Sequence, residues 1–189
     1  MTAALESGSS DDPAMAFLAV VTGPPGAGKS TVAHALAARF DHSVLVPGDA
    51  FFGFLARDAI VPWLPAADSQ NEIVIRAAAA ATGRFVAGGY ATVYDGVLGP
   101  WFLPDFAAEA ALDHLSYIIL LPSVEQCVDR VANRLGHGFT DEDATRQMYR
   151  EFARADINER HVLADLRGPA DGTAAEIARR IQGGTLRYP

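Results

Sequence analysis

The chain has 189 residues, half of them hydrophobic, which is enough to form one domain with a substantial core. Its formal net charge of −8 argues against binding to long nucleic acid, because that binding depends on Lys and Arg side chains that neutralise phosphates. The sequence shows no apolar run of membrane-spanning length and no signal-peptide pattern, and its single cysteine, Cys127, cannot form an internal disulfide. We therefore expect a soluble, cytoplasmic protein that binds neither a membrane nor long nucleic acid.

Residues 1–15 are rich in Ser, Asp, Glu and Ala, and they are predicted to form a flexible leader before a single domain at 16–189. In that domain, short apolar runs alternate with segments of helical periodicity. The predicted strands are 16–21, 43–46, 90–94, 115–121 and 162–166, and the predicted helices are one that follows residue 30 and four at about 72–87, 124–135, 142–155 and 174–181. Buried strands that alternate with helices predict an α/β fold with a parallel sheet covered on both faces.

The segment between the first strand and the first helix reads Gly-Pro-Pro-Gly-Ala-Gly-Lys-Ser. It matches G-x-x-x-x-G-K-[ST], which binds nucleotide phosphates when a strand precedes it and a helix follows. Small residues let backbone N–H groups wrap around a phosphate, while the Lys ammonium reaches its oxygens and the Ser hydroxyl can bind Mg²⁺. The predicted nucleotide-binding residues are Gly23, Pro24, Pro25, Gly26, Ala27, Gly28, Lys29, Ser30 and Thr31, with Lys29 also catalytic and Ser30 also a metal ligand.

Two carboxylates follow predicted strands, at the sheet edge where ligands of parallel α/β proteins bind. Asp49 comes after the second strand, and we predict that it accepts the proton of a substrate hydroxyl during phosphoryl transfer. An Asp that caps the next helix is the alternative, and the two roles are compatible. Asp95 comes after the third strand and is predicted, with Gly96, to hold a substrate hydroxyl or to reach Mg²⁺ through water. An ordinary Asp-Gly turn is the alternative there.

A pair of arginines, Arg130 and Arg134, lies on one face of the helix that begins near residue 124, and a loop with two glycines follows at 136–138. An arginine-bearing loop between two helices is typical of a lid that closes over phosphates, so we predict a lid at about 134–144. An arginine at such a place has the fork geometry and the charge to stabilise the transferring phosphoryl group. The alternative is a solvated helix face on which these arginines pair with neighbouring carboxylates.

The segment at about 49–89 is unusually apolar in its first half and is predicted to bind the acceptor of the phosphate. Phe52 in this segment, and Trp101 after the third strand, are predicted to contact that acceptor, since aromatic rings would suit a nucleoside, an aryl antibiotic or another flat molecule. For most of these rings, packing in the core is the alternative. Polar contacts in the segment are available from Gln70, Asn71 and Arg76.

Together these residues resemble the P-loop small-molecule kinases of the nucleoside-monophosphate-kinase-like group, which includes shikimate kinase, gluconate kinase, chloramphenicol phosphotransferase and the tunicamycin-resistance proteins. The resemblance covers about residues 17–181. It implies a P-loop NTPase three-layer sandwich with a five-stranded parallel sheet of order 2-3-1-4-5 and a small helical lid. It also implies ATP and Mg²⁺ as cofactors, Asp49 as the base, Arg130 against the adenine and Arg134 on the phosphates.

The predicted function is transfer of the ATP γ-phosphate to a hydroxyl of a small, partly apolar molecule, such as an antibiotic or a nucleoside. The alternative is a nucleotide-dependent binding or resistance protein, similar to the tunicamycin-resistance proteins, without efficient transfer. A kinase of nucleotide metabolism or of polynucleotide ends is a third hypothesis, and the acidic charge disfavours long polynucleotides. The base-reading motif of GTPases does not occur in the sequence, which favours ATP.

Overall fold

The computed structural model of the chain describes residues 16–133, 139–166 and 168–189, and a central β-sheet organises them. The strands are β1 (Phe17–Thr22), β2 (Ser43–Pro47), β3 (Ala91–Asp95), β4 (Leu115–Leu120), β5 (Val162–Leu163) and β6 (Arg187–Tyr188). The helices are α1 (Lys29–Ala37), α2 (Asp49–Phe52), α3 (Asp68–Ala87), α4 (Leu103–Ala110), α5 (Val124–Ala132), α6 (Glu142–Arg154) and α7 (Ala170–Gln182), with short 3₁₀ turns at Pro65–Ala67 and Glu159–His161. The predicted leader at 1–15 lies outside the described residues.

Five parallel strands run in the order β2-β3-β1-β4-β5, which confirms the order that the resemblance implied. The short strand β6, which the sequence analysis did not predict, pairs antiparallel with the start of β4. In register, Val21 of β1 and Pro47 of β2 both lie opposite Asp95 of β3. Three strands therefore end level at one edge of the sheet, and the segments that follow them meet there.

Two hydrophobic cores flank the sheet, because successive side chains of a strand point to opposite faces. Leu18 and Val20 of β1 belong to a core that includes residues of α3, α4 and α6, whereas Ala19 and Val21 belong to a core that includes residues of α1, α5 and α7. Covering both faces is what makes β1 and β4 continuous apolar runs rather than alternating ones. Within 16–133, 139–166 and 168–189, no helix combines the length and the hydropathy that crossing a membrane requires.

One helix was not predicted, and several boundaries differ from the prediction. Helix α4 was missed because Pro104 interrupts its pattern, although proline is compatible with the first turn of a helix, where its missing N–H costs nothing. Helix α3 begins four residues earlier than predicted, at Asp68. Strand β5 contains only Val162 and Leu163, so the predicted strand at 162–166 was too long.

A buried histidine in the 3₁₀ turn beside β5 is expected to make stability depend on pH. His161 is only 1% exposed. The Nε2 atom of His161 accepts a hydrogen bond from Arg160 Nε at 3.2 Å, so the ring proton lies on Nδ1. That Nδ1–H group donates to the Tyr117 carbonyl at 3.0 Å. Burial lowers the pKa of His161 below its usual 6.5; the bond to Tyr117 opposes this, and the charges of Arg160 and Arg180 add to it.

The folded chain thus binds fewer protons than the unfolded chain just below pH 6.5. The stability contributed by neutral His161 is present above pH 6.5 and is lost as the pH falls through the lower pKa of the folded state. We expect the free energy of unfolding to fall in this window by up to about 1.4 kcal/mol per pH unit, the limit for one proton. Urea unfolding at several pH values would measure this slope, and His161→Gln should reduce it; an equal slope in the variant would contradict the assignment.

Candidate nucleotide and acceptor site

The glycine-rich loop between β1 and α1 has the backbone conformation of a phosphate cradle. Gly26 and Gly28 have φ values of +77° and +95°, in the left-handed region that favours glycine. A Cβ atom on Gly26 would also overlap the backbone carbonyl of Cys127 in α5. Gly28 is the N-cap of α1, so the loop leads directly into a helix N-terminus, where free N–H groups and the helix dipole favour an anion.

Two basic side chains lie on this loop. Lys29 Nζ donates to the Pro24 carbonyl at 3.1 Å, which holds the ammonium across the loop. Arg130 Nη1 of α5 donates to the carbonyls of Gly26 and Ala27 at 3.2 and 3.4 Å. The predicted nucleotide-binding residues therefore come together, and Arg130 lies against the loop backbone. Its predicted contact with an adenine stays a prediction.

The two predicted carboxylates both lie at the sheet edge but differ in environment. Asp95 is 8% exposed, and burial raises its pKa; a hydrogen bond from Ser30 and the charge of Lys29 lower the pKa, and Asp49 raises it. Asp49 is exposed and is the first residue of α2, whose N-cap is Gly48, so Asp49 is not the helix cap that was its alternative. Asp49, Asp95, Lys29 and Ser30 thus form one electrostatic cluster.

A cleft of about 1240 Å³ opens beside this cluster. Its lining includes five of the predicted site residues: Pro25, Lys29, Asp49, Phe52 and Trp101. Asp95 and Gly96 are not among these lining residues, and Asp95 accepts a hydrogen bond from Ser30 of the glycine-rich loop. Their predicted contact with a substrate hydroxyl, and the metal-binding alternative for Asp95, stay predictions.

The aromatic rings divide between core and cleft. Trp101 and Trp63 are 46% and 38% exposed and both line the cleft, so they are not core residues. Trp63 packs edge-on against Phe139, with ring centroids 4.7 Å apart, and Trp101 packs on Phe152 at 5.5 Å. These contacts join the acceptor segment and the loop after β3 to the chain around α6.

The loop that carries Trp101 is fixed by buried hydrogen bonds to β1 and β4. Thr22 Oγ1 donates to the Leu98 carbonyl at 3.1 Å and accepts from the Leu98 N–H at 2.8 Å, and the Tyr117 hydroxyl donates to the same carbonyl at 2.7 Å. These bonds satisfy polar groups that would otherwise be buried without partners. These bonds attach the start of the loop, at Leu98, to β1 and β4.

Sequence reasoning missed Tyr94, which lines the cleft although it is only 2% exposed. Burial raises the pKa of its hydroxyl, and the charges of Asp49 and Asp95 raise it further, so the hydroxyl remains a neutral donor. All five residues of β3 are buried, so the sequence pattern of this strand does not distinguish Tyr94 from a tyrosine of the core. Only its position one residue before Asp95 at a strand end indicated the site.

Three polar residues of the predicted acceptor segment, at about 49–89, make hydrogen bonds or ion pairs within the fold. Gln70 makes two hydrogen bonds to the backbone of Ile60, at 2.8 and 2.7 Å, and Asn71 Nδ2 donates to the Pro62 carbonyl at 2.7 Å. Arg76 pairs with Glu72 at 3.3 Å and with Glu109 at 3.6 Å. Gln70 and Arg76 are thus engaged within the fold.

The predicted lid is described only from residue 139, so Arg134 and the loop at 136–138 lie outside the described residues. The part that is described leads into α6, where Asp141 Oδ1 caps the helix by accepting from the Ala144 N–H at 2.9 Å. Two arginines of α6, Arg146 and Arg150, line the cleft. The role of Arg134 on the phosphates stays a prediction.

Solved structures of similar fold include kinases and a resistance protein. A sugar kinase from Janibacter sp. HTCC2649 matches with a TM-score of 0.67 and 18% identity, over 88% of this chain and 94% of that chain. A tunicamycin resistance protein from Deinococcus radiodurans matches with a TM-score of 0.65 and 14% identity, over 92% and 99%. APS kinase from Mycobacterium tuberculosis, in complex with AMPPNP and APS, matches with a TM-score of 0.65 and 18% identity, over 88% and 97%.

No family model matches the sequence, and no curated protein matches it either. The structural similarities confirm the fold that the sequence resemblance implied, which is that of the P-loop small-molecule kinases. At these identities the similarity concerns the fold, and the chemistry of this chain must be argued from its own residues.

Proposed function

We propose that this protein is an ATP- and Mg²⁺-dependent phosphotransferase that acts on a hydroxyl of a small, partly apolar molecule. The observation that carries the proposal is that the phosphate-binding loop, through Lys29, and the carboxylate of Asp49 line one cleft. That arrangement has room for a phosphate donor and an acceptor side by side. The APS kinase structure of similar fold is a complex with AMPPNP and APS.

The residues of the loop fit a nucleotide triphosphate and its metal ion. The left-handed glycines let the loop backbone curve tightly, the start of α1 offers free N–H groups, and Lys29 adds a positive charge beside them. Ser30 and Asp95 supply the hydroxyl and the carboxylate that Mg²⁺ prefers as oxygen ligands. ATP would supply the phosphoryl group that is transferred.

Asp49 is proposed to orient the acceptor hydroxyl and to take its proton. It is exposed in the cleft at the start of α2, with the Lys29 ammonium at the phosphate side of the same cleft. A carboxylate in this place aligns the hydroxyl oxygen with the phosphoryl group and accepts the proton late in transfer. Lys29 balances the negative charge on the transferring oxygens, and Arg134 is proposed to do the same from the lid.

The acceptor is proposed to carry a ring or another apolar body. The cleft is lined by the exposed rings of Trp63 and Trp101, with Phe52 beside Asp49. Rings at the edge of a cleft favour flat or partly apolar ligands, such as an aryl antibiotic or a nucleoside. A small, fully polar sugar acid would leave these rings without contacts.

The test is to incubate the protein with ATP, Mg²⁺ and a panel of nucleosides, aryl antibiotics and sugar acids, and to detect phosphorylated product by mass spectrometry. Asp49→Asn should lower the rate at least about a hundredfold, the usual size of a proton-acceptor effect, with little change in ATP affinity. Lys29→Ala should weaken ATP binding and abolish product. Asp171→Asn, in the exposed first turn of α7, is the matched control and should retain full activity.

Product formation that depends on both Asp49 and Lys29 would support the proposal and identify the acceptor class. Product formation that persists in Asp49→Asn would contradict the role of Asp49. Nucleotide binding with no product from any member of the panel would instead favour the alternative, a nucleotide-dependent binding or resistance protein.

A further inference from the structure

The hydroxyl group of Tyr94 has no hydrogen-bond partner within the described part of the chain, although Tyr94 is almost fully buried and lines the cleft. Among the described residues, Asn71 Oδ1 is the only side-chain polar atom that is both fully enclosed and unpartnered, so the Tyr94 hydroxyl is not sealed inside the core. The hydroxyl of Tyr117, which is also buried, donates to the Leu98 carbonyl at 2.7 Å, as buried hydroxyls usually do. The Tyr94 hydroxyl is therefore left for a molecule in the cleft.

Two glycines fix the position of this hydroxyl at the ends of β2 and β3. A Cβ atom on Gly48 or on Gly96 would overlap the Tyr94 hydroxyl, so the hydroxyl lies directly against both glycines. The Gly48 N–H donates to the Asp95 carbonyl at 2.7 Å, which joins the two strand ends. The phenol thus lies against the residue that precedes Asp49, the proposed proton acceptor.

The side chain of Tyr94 lies on the face of the sheet that α3 and α4 cover. Tyr94 belongs to the core on that face, and its ring packs on Phe106 of α4 with centroids 4.9 Å apart. Ile75 of α3 belongs to the same core and lines the cleft within the predicted acceptor segment. The phosphate-binding loop instead leads into α1 on the opposite face, and Asp95, the next residue of the strand, accepts a hydrogen bond from Ser30 of that loop. Tyr94 is thus on the side of the phosphate acceptor rather than of the phosphates.

Tyr94 and Asp49 offer complementary hydrogen-bonding groups. Burial and the charges of Asp49 and Asp95 raise the pKa of the Tyr94 hydroxyl, so it stays protonated and donates at neutral pH. An ionised carboxylate, by contrast, only accepts. A hydroxyl of the bound molecule can donate to Asp49, whereas Tyr94 requires an oxygen atom that accepts. A carbon group at that place would leave the buried phenol without a partner and weaken binding.

We propose that Tyr94 determines specificity for the phosphate acceptor, because its hydroxyl donates a hydrogen bond to a second oxygen atom next to the reacting hydroxyl. The acceptor class is then an α-hydroxy ketone or a vicinal diol that carries an apolar ring. This inference rests on the proposed function and names the substrate class of the same cleft. Tyr94 keeps its proton throughout, and Asp49 takes the proton of the reacting hydroxyl.

Two matched probes test the proposal: 2-hydroxyacetophenone and 2-phenylprop-2-en-1-ol. Each has a phenyl ring and one primary hydroxyl, and they differ only in a carbonyl oxygen that is replaced by a methylene group. Binding is measured by ligand-observed NMR at millimolar concentration without nucleotide, and product by mass spectrometry after ATP and Mg²⁺ are added. We expect the ketone to bind about fivefold more tightly than the alkene, as for one hydrogen bond to a buried donor.

Variants assign this preference to the phenol. Tyr94→Phe keeps the ring on Phe106 and removes only the hydroxyl, so it should weaken binding of the ketone about fivefold and leave the alkene unchanged. Its affinity for ATP should equal that of the wild type. The matched control is Tyr90→Phe, since Tyr90 precedes the same strand but is exposed and does not line the cleft. This variant should change neither affinity.

Equal binding of the two probes, no binding of either, or a preference for the ketone that persists in Tyr94→Phe would overturn the inference. Weaker ATP binding in Tyr94→Phe with an unchanged preference would assign the phenol to the phosphates and would also overturn it. Failure of the proposed function gives a different result: the preference and its dependence on Tyr94 would persist in the NMR measurement, but no product would form with ATP.

Discussion

Gly83→Ala is expected to destabilise the protein by about 3 kcal/mol, at the upper end of the usual cost of overpacking. Gly83 lies in α3 where the C-terminal end of α4 crosses it, and a Cβ atom there would overlap the carbonyl oxygen of Ala110 and lie 2.9 Å from its carbonyl carbon. These are backbone atoms, so no rotamer change relieves the overlap and the two helices must move apart. In a chain of this size, we expect the midpoint of thermal unfolding to fall by roughly 6–12 °C.

The control for Gly83 is Gly172→Ala. Gly172 is also within a helix, α7, but a Cβ atom there would meet nothing within 4 Å. The same substitution should therefore stabilise the protein by up to about 1 kcal/mol, because alanine is the better helix former. Equal unfolding temperatures for Gly83→Ala and the wild type would show that α3 and α4 do not approach as closely as the structure indicates.

Gly26→Ala is expected to weaken nucleotide binding strongly. The loop would lose the φ of +77° at this position, and the new methyl group would overlap the backbone of Cys127, so the N–H groups that converge on the phosphate would separate. Loss of two charge-assisted hydrogen bonds corresponds to roughly a hundredfold weaker affinity. Isothermal titration calorimetry with a non-hydrolysable ATP analogue and Mg²⁺ would measure the change.

Gly184→Ala separates the effect on the loop from general strain. Gly184 has a similar φ of +68°, but nothing lies within 4 Å of its added Cβ atom, and it does not line the cleft. This variant should lose about 1 kcal/mol of stability from the left-handed conformation alone. Its nucleotide affinity should equal that of the wild type, and a matching loss in both variants would mean that Gly26 has no specific part in the site.

Asp49 illustrates how far local patterns predicted the site. Its place after an apolar run put it at a strand end, and the common edge of parallel strands put it near the phosphate-binding loop. The sequence left open whether Asp49 caps a helix. An Asp at the cap and an Asp at the first helical position are preceded and followed by the same residues, so the sequence does not distinguish them. The structure places Gly48 at the cap and leaves the Asp49 carboxylate in the cleft.

Arg130 and Asn71 show what local patterns did not contain. Arg130 contacts the glycine-rich loop, which lies more than a hundred residues earlier in the chain. The four-residue spacing between Arg130 and Arg134 indicated only that both lie on the same face of a helix. Asn71 was one polar candidate among several, and its unpartnered oxygen exists only because the segment at Pro62 packs against α3. Contacts between residues that are distant in sequence leave no periodic pattern in the sequence.

By itself, the sequence determined the alternation of strands and helices and the phosphate-binding loop between β1 and α1. Those features depend on hydrophobic period and on glycine, which act over a few residues. The tertiary structure alone decided that Asp95 accepts a hydrogen bond from Ser30, that α4 crosses α3 at Gly83, and that Trp63 and Trp101 line one cleft. Packing brings residues distant in sequence to these positions, so burial and charge there depend on the whole fold.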